Sequence, residues 1–367
     1  MKQIKLFLTV LAGALFFVSC SDDDAEDAAR IPLGSYDLGT LVLNEGNFGS
    51  GNASVSYISD DFSVNQNDIF SIVNDGAALG DVAQSIGVNN DLAYIIVNNS
   101  QKIEVVNRYT FKKVATINNQ ISNPRYIAFA NGKGYVTNWG DPANPNDDYV
   151  AIVNLSTQSV TATIPVAEGP EQIVSNNGKL FVSHSGGYNF GNTVSVISND
   201  AVSSTIVVGD VPKELQIVDG NLWVTCKGFP SYAPSGTTNG KFVKINADTN
   251  AIAGELKFPN GQAAMNLGNS SISGTNIYYN IGTAVYKCAI DAPVLPTTPA
   301  FDAAAQGAAS IYGLAVNNGR IYVSDDAGFT VRGKVYVYAA GNAEFAIGVL
   351  LNRTTVGVGP SAFYFNN

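Results

Sequence analysis

Pro124-Arg125-Tyr126-Ile127-Ala128-Phe129-Ala130-Asn131-Gly132-Lys133-Gly134-Tyr135-Val136-Thr137-Asn138 reads as strand, two-residue turn, strand. Asn-Gly between alternating apolar runs is a strong hairpin signal, because both turn positions need a positive φ. The same unit recurs along the chain. Pro170, Ile173, Asn177-Gly178 and Phe181-Val182-Ser183-His184 form one copy. Pro212, Leu215, Asp219-Gly220 and Trp223-Val224-Thr225-Cys226 form another, and Ile311 to Val316, Asn318-Gly319 and Tyr322-Val323-Ser324-Asp325 a third. Looser copies carry Ile277-Tyr278-Tyr279-Asn280 and Ile86 to Val88, Asn89-Asn90, Tyr94-Ile95-Ile96. The aromatics Tyr94, Tyr135, Phe181, Trp223, Tyr278 and Tyr322 stand 41, 46, 42, 55 and 44 residues apart, and they read as core between repeats.

Each copy continues with a third strand, such as Tyr149 to Asn154, and a fourth, such as Val160 to Val166. Four strands per period of roughly 40–45 residues is the signature of a β-propeller blade. A lone blade cannot bury both faces, so blades must stack in a ring. The inner strands give six complete copies. Pro360 to Phe365 has the form of an inner strand at which the sequence ends, and Leu41 to Asn44 has the form of a second strand with no inner strand before it. Pairing them predicts an all-β, seven-bladed propeller closed by its N- and C-terminal strands, with no free sheet edge.

The first-to-second turns are tight, whereas the second-to-third connections are long and irregular, and alternation of strands puts all the long ones on one face. Loops on a rigid scaffold are where binding residues concentrate. These carry Phe48, Trp139, Tyr188, Phe190, Phe229, Tyr232 and Phe329, with Arg332 nearby. Flat rings supply contact area at little rotamer cost, so the set predicts a binding face for a large neutral ligand such as a tetrapyrrole-like ring, a glycan or a peptide. Rings packing only against each other are the alternative. Asp141, Asn144, Asn146, Asp147 and Asp148 are weak candidates for a Ca²⁺ site, since hard cations take oxygen ligands, but Asn/Asp/Pro loops are also ordinary turns. No cofactor is otherwise expected. His184 reads as a hydrogen-bonded residue rather than a base or ligand. Cys226 and Cys288 read as unpaired thiols.

The 367 residues are 46% hydrophobic and only 14% charged, which excludes disorder as the main state. Formal net charge is −10, and a surface of that sign repels phosphate backbones, so nucleic-acid binding is excluded. The single histidine excludes multi-histidine metal sites, and no catalytic constellation is visible. Lys2 and Lys5 precede an apolar run of thirteen residues, Leu6 to Val18, too short to span a bilayer and of the form of a signal peptide. Residues 1–19 are therefore read as leader, 20–38 as a tether rich in acid (Asp22, Asp23, Asp24, Glu26, Asp27), and 39–367 as the propeller.

Phe17-Val18-Ser19-Cys20 resembles a lipoprotein box, with Phe17 where leucine is usual, and implies lipidation of Cys20 and attachment to the membrane through that lipid. The acidic run after Cys20 resembles the export signal of Bacteroidota surface lipoproteins and implies the outer face of the outer membrane. Tyr135-Val136-Thr137-Asn138 spells the repeat of YVTN-type propellers, and Leu43-Asn44-Glu45-Gly46-Asn47-Phe48-Gly49 looks like a Bacteroidota group of propeller lipoproteins. Some of that group capture cobalamin over a TonB-dependent transporter, so the resemblance implies a non-enzymatic capture protein with such a partner. An enzyme, either a lactonase or a lyase acting on a sugar-derived substrate, and an adhesive surface module are the alternatives.

Overall fold

The computed structural model describes residues 31–366 apart from Pro142. The leader, Cys20 and most of the tether lie outside the described residues. Seven four-stranded antiparallel sheets follow one another in the chain. Their innermost strands touch in cyclic order, each against the next, and the seventh touches the first. This is the predicted propeller.

The ring closes as the sequence implies. Pro360–Asn366 is the innermost strand of a blade whose other strands, Gly39–Asn44, Ser54–Ser59 and Asn65–Gln66, come from the opposite end of the chain. Residues Gly39 to Leu43 pair in register with Asn366 to Ala362. The packed body reaches N-terminally beyond the expected boundary at 39. Tyr36 is buried edge-on against Tyr57 and Phe111, at ring distances of 5.4 and 6.0 Å.

The core is divided by blade junction. Seven apolar clusters each join residues of two consecutive blades. The repeated aromatics are the reason for the period: Tyr94, Tyr135, Phe181, Trp223, Tyr278 and Tyr322 are all buried, and each sits in the cluster shared with the following blade. The Thr/Ser that follows each Tyr-Val or Phe-Val has a second task. Thr137 Oγ1 donates to the Glu171 carbonyl at 2.8 Å, Ser183 Oγ to that of Lys213 at 2.9 Å, and Ser324 Oγ to that of Pro360 at 2.6 Å. Each hydroxyl thus ties its blade to the inner strand of the next. Where that position is Ile96, the inner-strand Ser85 makes the tie instead, to the Arg125 carbonyl at 2.7 Å. The Asn131-Gly132 turn has φ of 52° and 71°, and the same pair of signs recurs at Asn177-Gly178, Asp219-Gly220 and Asn318-Gly319. That leaves the opposite rim to carry the long connections.

Candidate functional site

Three consecutive inner strands begin Pro124-Arg125, Pro170-Glu171 and Pro212-Lys213. A strand start on the ring's inner wall points its second side chain at the channel mouth, so these blades deliver Arg125, Glu171 and Lys213 to one place. Arg125 Nε and Nη2 donate to the two carboxylate oxygens of Glu171 at 3.0 and 2.9 Å. Glu171 is almost wholly buried. Burial would raise its carboxyl, but Arg125 and then Lys213 outweigh that and hold it below the usual carboxylate range. Lys213 Nζ is 3.8 Å from Glu171 Oε1, and Lys227 Nζ is 3.2 Å from Glu214 Oε1. Across the channel, burial raises the Glu45 carboxyl, which accepts a hydrogen bond from the Tyr312 hydroxyl.

The loop aromatics stand above this floor. Trp139 is anchored by its Nε1 on the Pro170 carbonyl at 3.0 Å, with the Arg125 guanidinium 4.1 Å from its ring centroid. Tyr188 packs edge-on to Trp139 at 5.9 Å, and Phe190 lies 5.3 Å from Phe229 and 6.2 Å from Tyr232. Trp139, Tyr188, Phe190 and Tyr232 line a cavity of about 370 Å³ whose charged lining is Arg125, Glu171, Lys213 and Lys227. Tyr188 and Tyr232 are 74% and 82% exposed, so these neighbours leave most of each ring open to solvent. Gly169 lets this wall form: it has φ of 64°, and a Cβ there would fall 2.0 Å from the Gly187 nitrogen. A second cavity of about 370 Å³ is the channel itself, lined by Glu45, Gln84, Arg125, Lys213, Glu214, Lys227 and Tyr312 among others.

Five of the eight predicted binding residues therefore meet: Trp139, Tyr188, Phe190 and Tyr232 in the lining, and Phe229 behind Phe190. Phe48 and Phe329 do not join them. They border a separate cavity of about 350 Å³ with Glu45, Asn47 and Val82, where Asn47 Nδ2 donates to the Phe329 carbonyl at 2.6 Å. Arg332 is held away from both by an ion pair of 2.6 Å with Asp68. The aromatic rim alone suggested a neutral ligand, yet the floor is charged. That floor was missed in the sequence, although a signal existed. The residue after the repeat proline is charged in three successive copies, where a strand buried on both faces would be apolar.

Three oxygens of the Asp/Asn loop accept from its own backbone, and Asp147 Oδ1 is buried without a hydrogen-bond partner. Asp147 Oδ2 accepts the Asp141 N–H at 3.0 Å, Asp141 Oδ1 that of Ala143 at 3.0 Å, and Asn144 Oδ1 that of Asn146 at 3.2 Å. Burial first, then Asp147 and Glu168, push the Asp148 carboxyl up to about 7. Among the described residues no group of three or more His, Cys, Asp or Glu is arranged to hold a metal ion. Cys226 and Cys288 are both free, with burial pushing their thiols up to about 12 and about 11.

Residues 38–345 match the domain family DUF5074, described as a domain of unknown function. The chain belongs to that family. No curated protein matches this DUF5074 chain. Solved structures show its fold in other proteins. A putative 6-phosphogluconolactonase from Bacteroides fragilis NCTC 9343 is 9% identical, with 91% of this chain and 99% of that one covered at a TM-score of 0.61. A functionally unknown protein from Desulfotomaculum acetoxidans DSM 771 is 12% identical, with 87% and 99% covered at 0.58. A dihydro-heme d1 dehydrogenase is 10% identical, with 92% and 77% covered at 0.54.

His184 of this DUF5074 propeller sits where other blades place Asn44 or Asn138, at the end of the second strand. It is buried, its Nε2 is 2.8 Å from Ser195 Oγ, and burial pushes the imidazole down to about 4. The unfolded chain takes up this proton near pH 6.5 and the folded one only near 4, so the stability tied to the neutral ring is complete above 6.5 and is lost as pH falls through 4. Asp148 acts with the opposite sign, losing stability as pH rises toward 7. The expected result is that His184→Asn flattens the fall in unfolding free energy between pH 7 and pH 4 by up to about 3 kcal/mol. Urea titrations of both proteins across that range check it; identical slopes would mean the ring protonates freely in the fold.

Proposed function

We propose that the protein is a lipid-anchored capture protein on the outer face of the outer membrane, which takes a ring-bearing nutrient on the loop face of its propeller and passes it to a TonB-dependent transporter. The observation that carries the binding half of this reading is the convergence of Trp139, Tyr188, Phe190 and Tyr232 on one cavity, two of them largely exposed. Exposed aromatic clusters of this kind cost solvation unless a partner covers them. The leader, the lipobox-like Phe17-Val18-Ser19-Cys20 and the acidic run support the location. Cobalamin comes from the family resemblance. A corrinoid is larger than a cavity of about 370 Å³, so it would lie across the rim with one arm inserted.

Isothermal titration of the full-length protein with cobalamin and with haem tests the reading. Heat with one of them is expected, and Tyr232→Ala is expected to weaken it by about 30-fold, the size of an aromatic hot spot. Because Tyr232 is exposed, its loss should leave the melting temperature unchanged. Silence with both compounds removes both as ligands.

One observation favours a hydrolytic second reading: Glu45 and Glu214 line the channel with Glu171 at its mouth, and a putative 6-phosphogluconolactonase has a similar fold. Against it, each carboxyl is already engaged, by Tyr312, Lys227 and Arg125 respectively. Ring opening of a sugar lactone, followed by proton release, separates the two.

A further inference from the structure

The floor of the aromatic cavity holds more hydrogen-bond donors than its carboxylates use. Arg125 is committed, with two bonds to Glu171 and its face on Trp139. An ammonium offers three donors. Lys227 directs one contact, at 3.2 Å, to Glu214. Lys213 is 3.8 Å from Glu171, beyond hydrogen-bond distance, and is 37% exposed. Both lysines line the aromatic cavity and the channel, so their amines stand at the throat between the two. Glu171 is the one carboxylate in the lining of the aromatic cavity, against Arg125, Lys213 and Lys227. Glu214 and Glu45 line the channel beneath, so the excess of cation is confined to the aromatic side of the throat, where Lys213 has no carboxylate within hydrogen-bond distance among the described residues. Burial lowers the Lys227 ammonium, so an arriving anion would relieve a group that is poorly solvated now.

We propose that this throat is an oxyanion subsite: Lys213 and Lys227 receive a phosphate or carboxylate of the ligand while its ring lies among Trp139, Tyr188 and Tyr232. The proposal rests on the reading of the aromatic cavity as the binding face, and adds the ligand's acidic group to it. Charge-assisted bonds of this type are about twice as strong as neutral ones.

Matched aldehydes test it on the full-length protein without the natural ligand. Pyridoxal 5′-phosphate and pyridoxal differ by a phosphate; 4-formylbenzoate and benzaldehyde differ by a carboxylate. Each condenses with a lysine amine, releasing water, and cyanoborohydride then reduces the imine to a stable secondary amine that peptide mapping locates. The expected result is that Lys213 or Lys227, measured against the exposed Lys113 and Lys257 in the same sample so that each aldehyde's own reactivity cancels, is labelled at least about tenfold faster by the anionic member of a pair, the gain from one charge-assisted bond. A gain with the phosphate pair alone assigns phosphate, and with the carboxylate pair alone carboxylate; either supports the subsite. Equal labelling of these lysines by charged and uncharged aldehydes overturns the oxyanion subsite and leaves the cavity as a binding face. Labelling spread over exposed lysines such as Lys113 and Lys257, with no preference for the throat, overturns both.

Discussion

Deleting Pro360–Asn366 is expected to abolish the cooperative unfolding transition of the whole propeller. The strand is the innermost of its blade, and it supplies the register partner for Gly39–Asn44. Phe363 belongs to the cluster that joins the last complete blade to the closing one, and Tyr364 packs on the cluster of the next junction, where its hydroxyl accepts the Ile86 N–H at 2.8 Å. Asn366 is buried and donates to the carbonyls of Tyr36 and Arg108, while Arg108 returns bonds to Asn366 Oδ1 and the Phe365 carbonyl. Phe363 is buried and Tyr364 and Phe365 half-buried, so at about 1.5–3 kcal/mol per fully buried side chain their loss is a large share of the roughly 5–15 kcal/mol stability of a typical domain. The deletion also opens the edge of Gly39–Asn44 to other chains. Thermal denaturation followed by circular dichroism, with size-exclusion chromatography, checks this. Asn366→Ala, which removes only the buried amide, should still melt cooperatively, lower by about 1–3 kcal/mol. A truncated chain that stays monomeric and melts like the full one would mean the closing strand is dispensable.

The closure was legible because it rests on a deficit and a surplus at the two ends of a counted repeat. Leu41 to Asn44 lacked an inner neighbour and Pro360 to Phe365 lacked an outer one. The period itself was legible because each repeated aromatic must fill one junction, so its spacing is the spacing of blades. The rim was legible only as composition. Which loop aromatics meet depends on contacts far apart in sequence, such as Asn47 with the Phe329 carbonyl and Arg332 with Asp68, and these draw Phe48, Phe329 and Arg332 away from the cavity. The charged floor was hidden for a different reason. In an alternating strand, a charge one residue after proline looks solvent-facing. Only the ring brings Arg125 and Glu171, which are 46 residues apart, to hydrogen-bond distance. The two strand starts occupy the same register of adjacent repeats, so opposite charges there could have been read as a pair.

Arg125→Ala is expected to cost about 3–5 kcal/mol, because it leaves the nearly inaccessible Glu171 carboxylate without its bidentate partner. Lys213, at 3.8 Å and partly exposed, replaces little of that pairing. The pH dependence identifies the cause. In the intact protein Glu171 lies below the usual carboxylate range, so its contribution is present at neutral pH and is lost as pH falls below the ordinary carboxylate value. Without Arg125, burial dominates and raises the carboxyl, so the folded variant gains relative stability on protonation. The two stability curves should therefore converge as pH drops from 7 toward 4. Adding Glu171→Leu to the variant should recover most of the loss at pH 7, since an apolar group of similar volume needs no partner. Parallel curves, with no recovery in the double variant, would place the loss in the stacking of Arg125 on Trp139 instead of in the buried charge. The pair would then act as a support for the aromatic wall, and the oxyanion-binding throat beside it would depend on Lys213 and Lys227 alone.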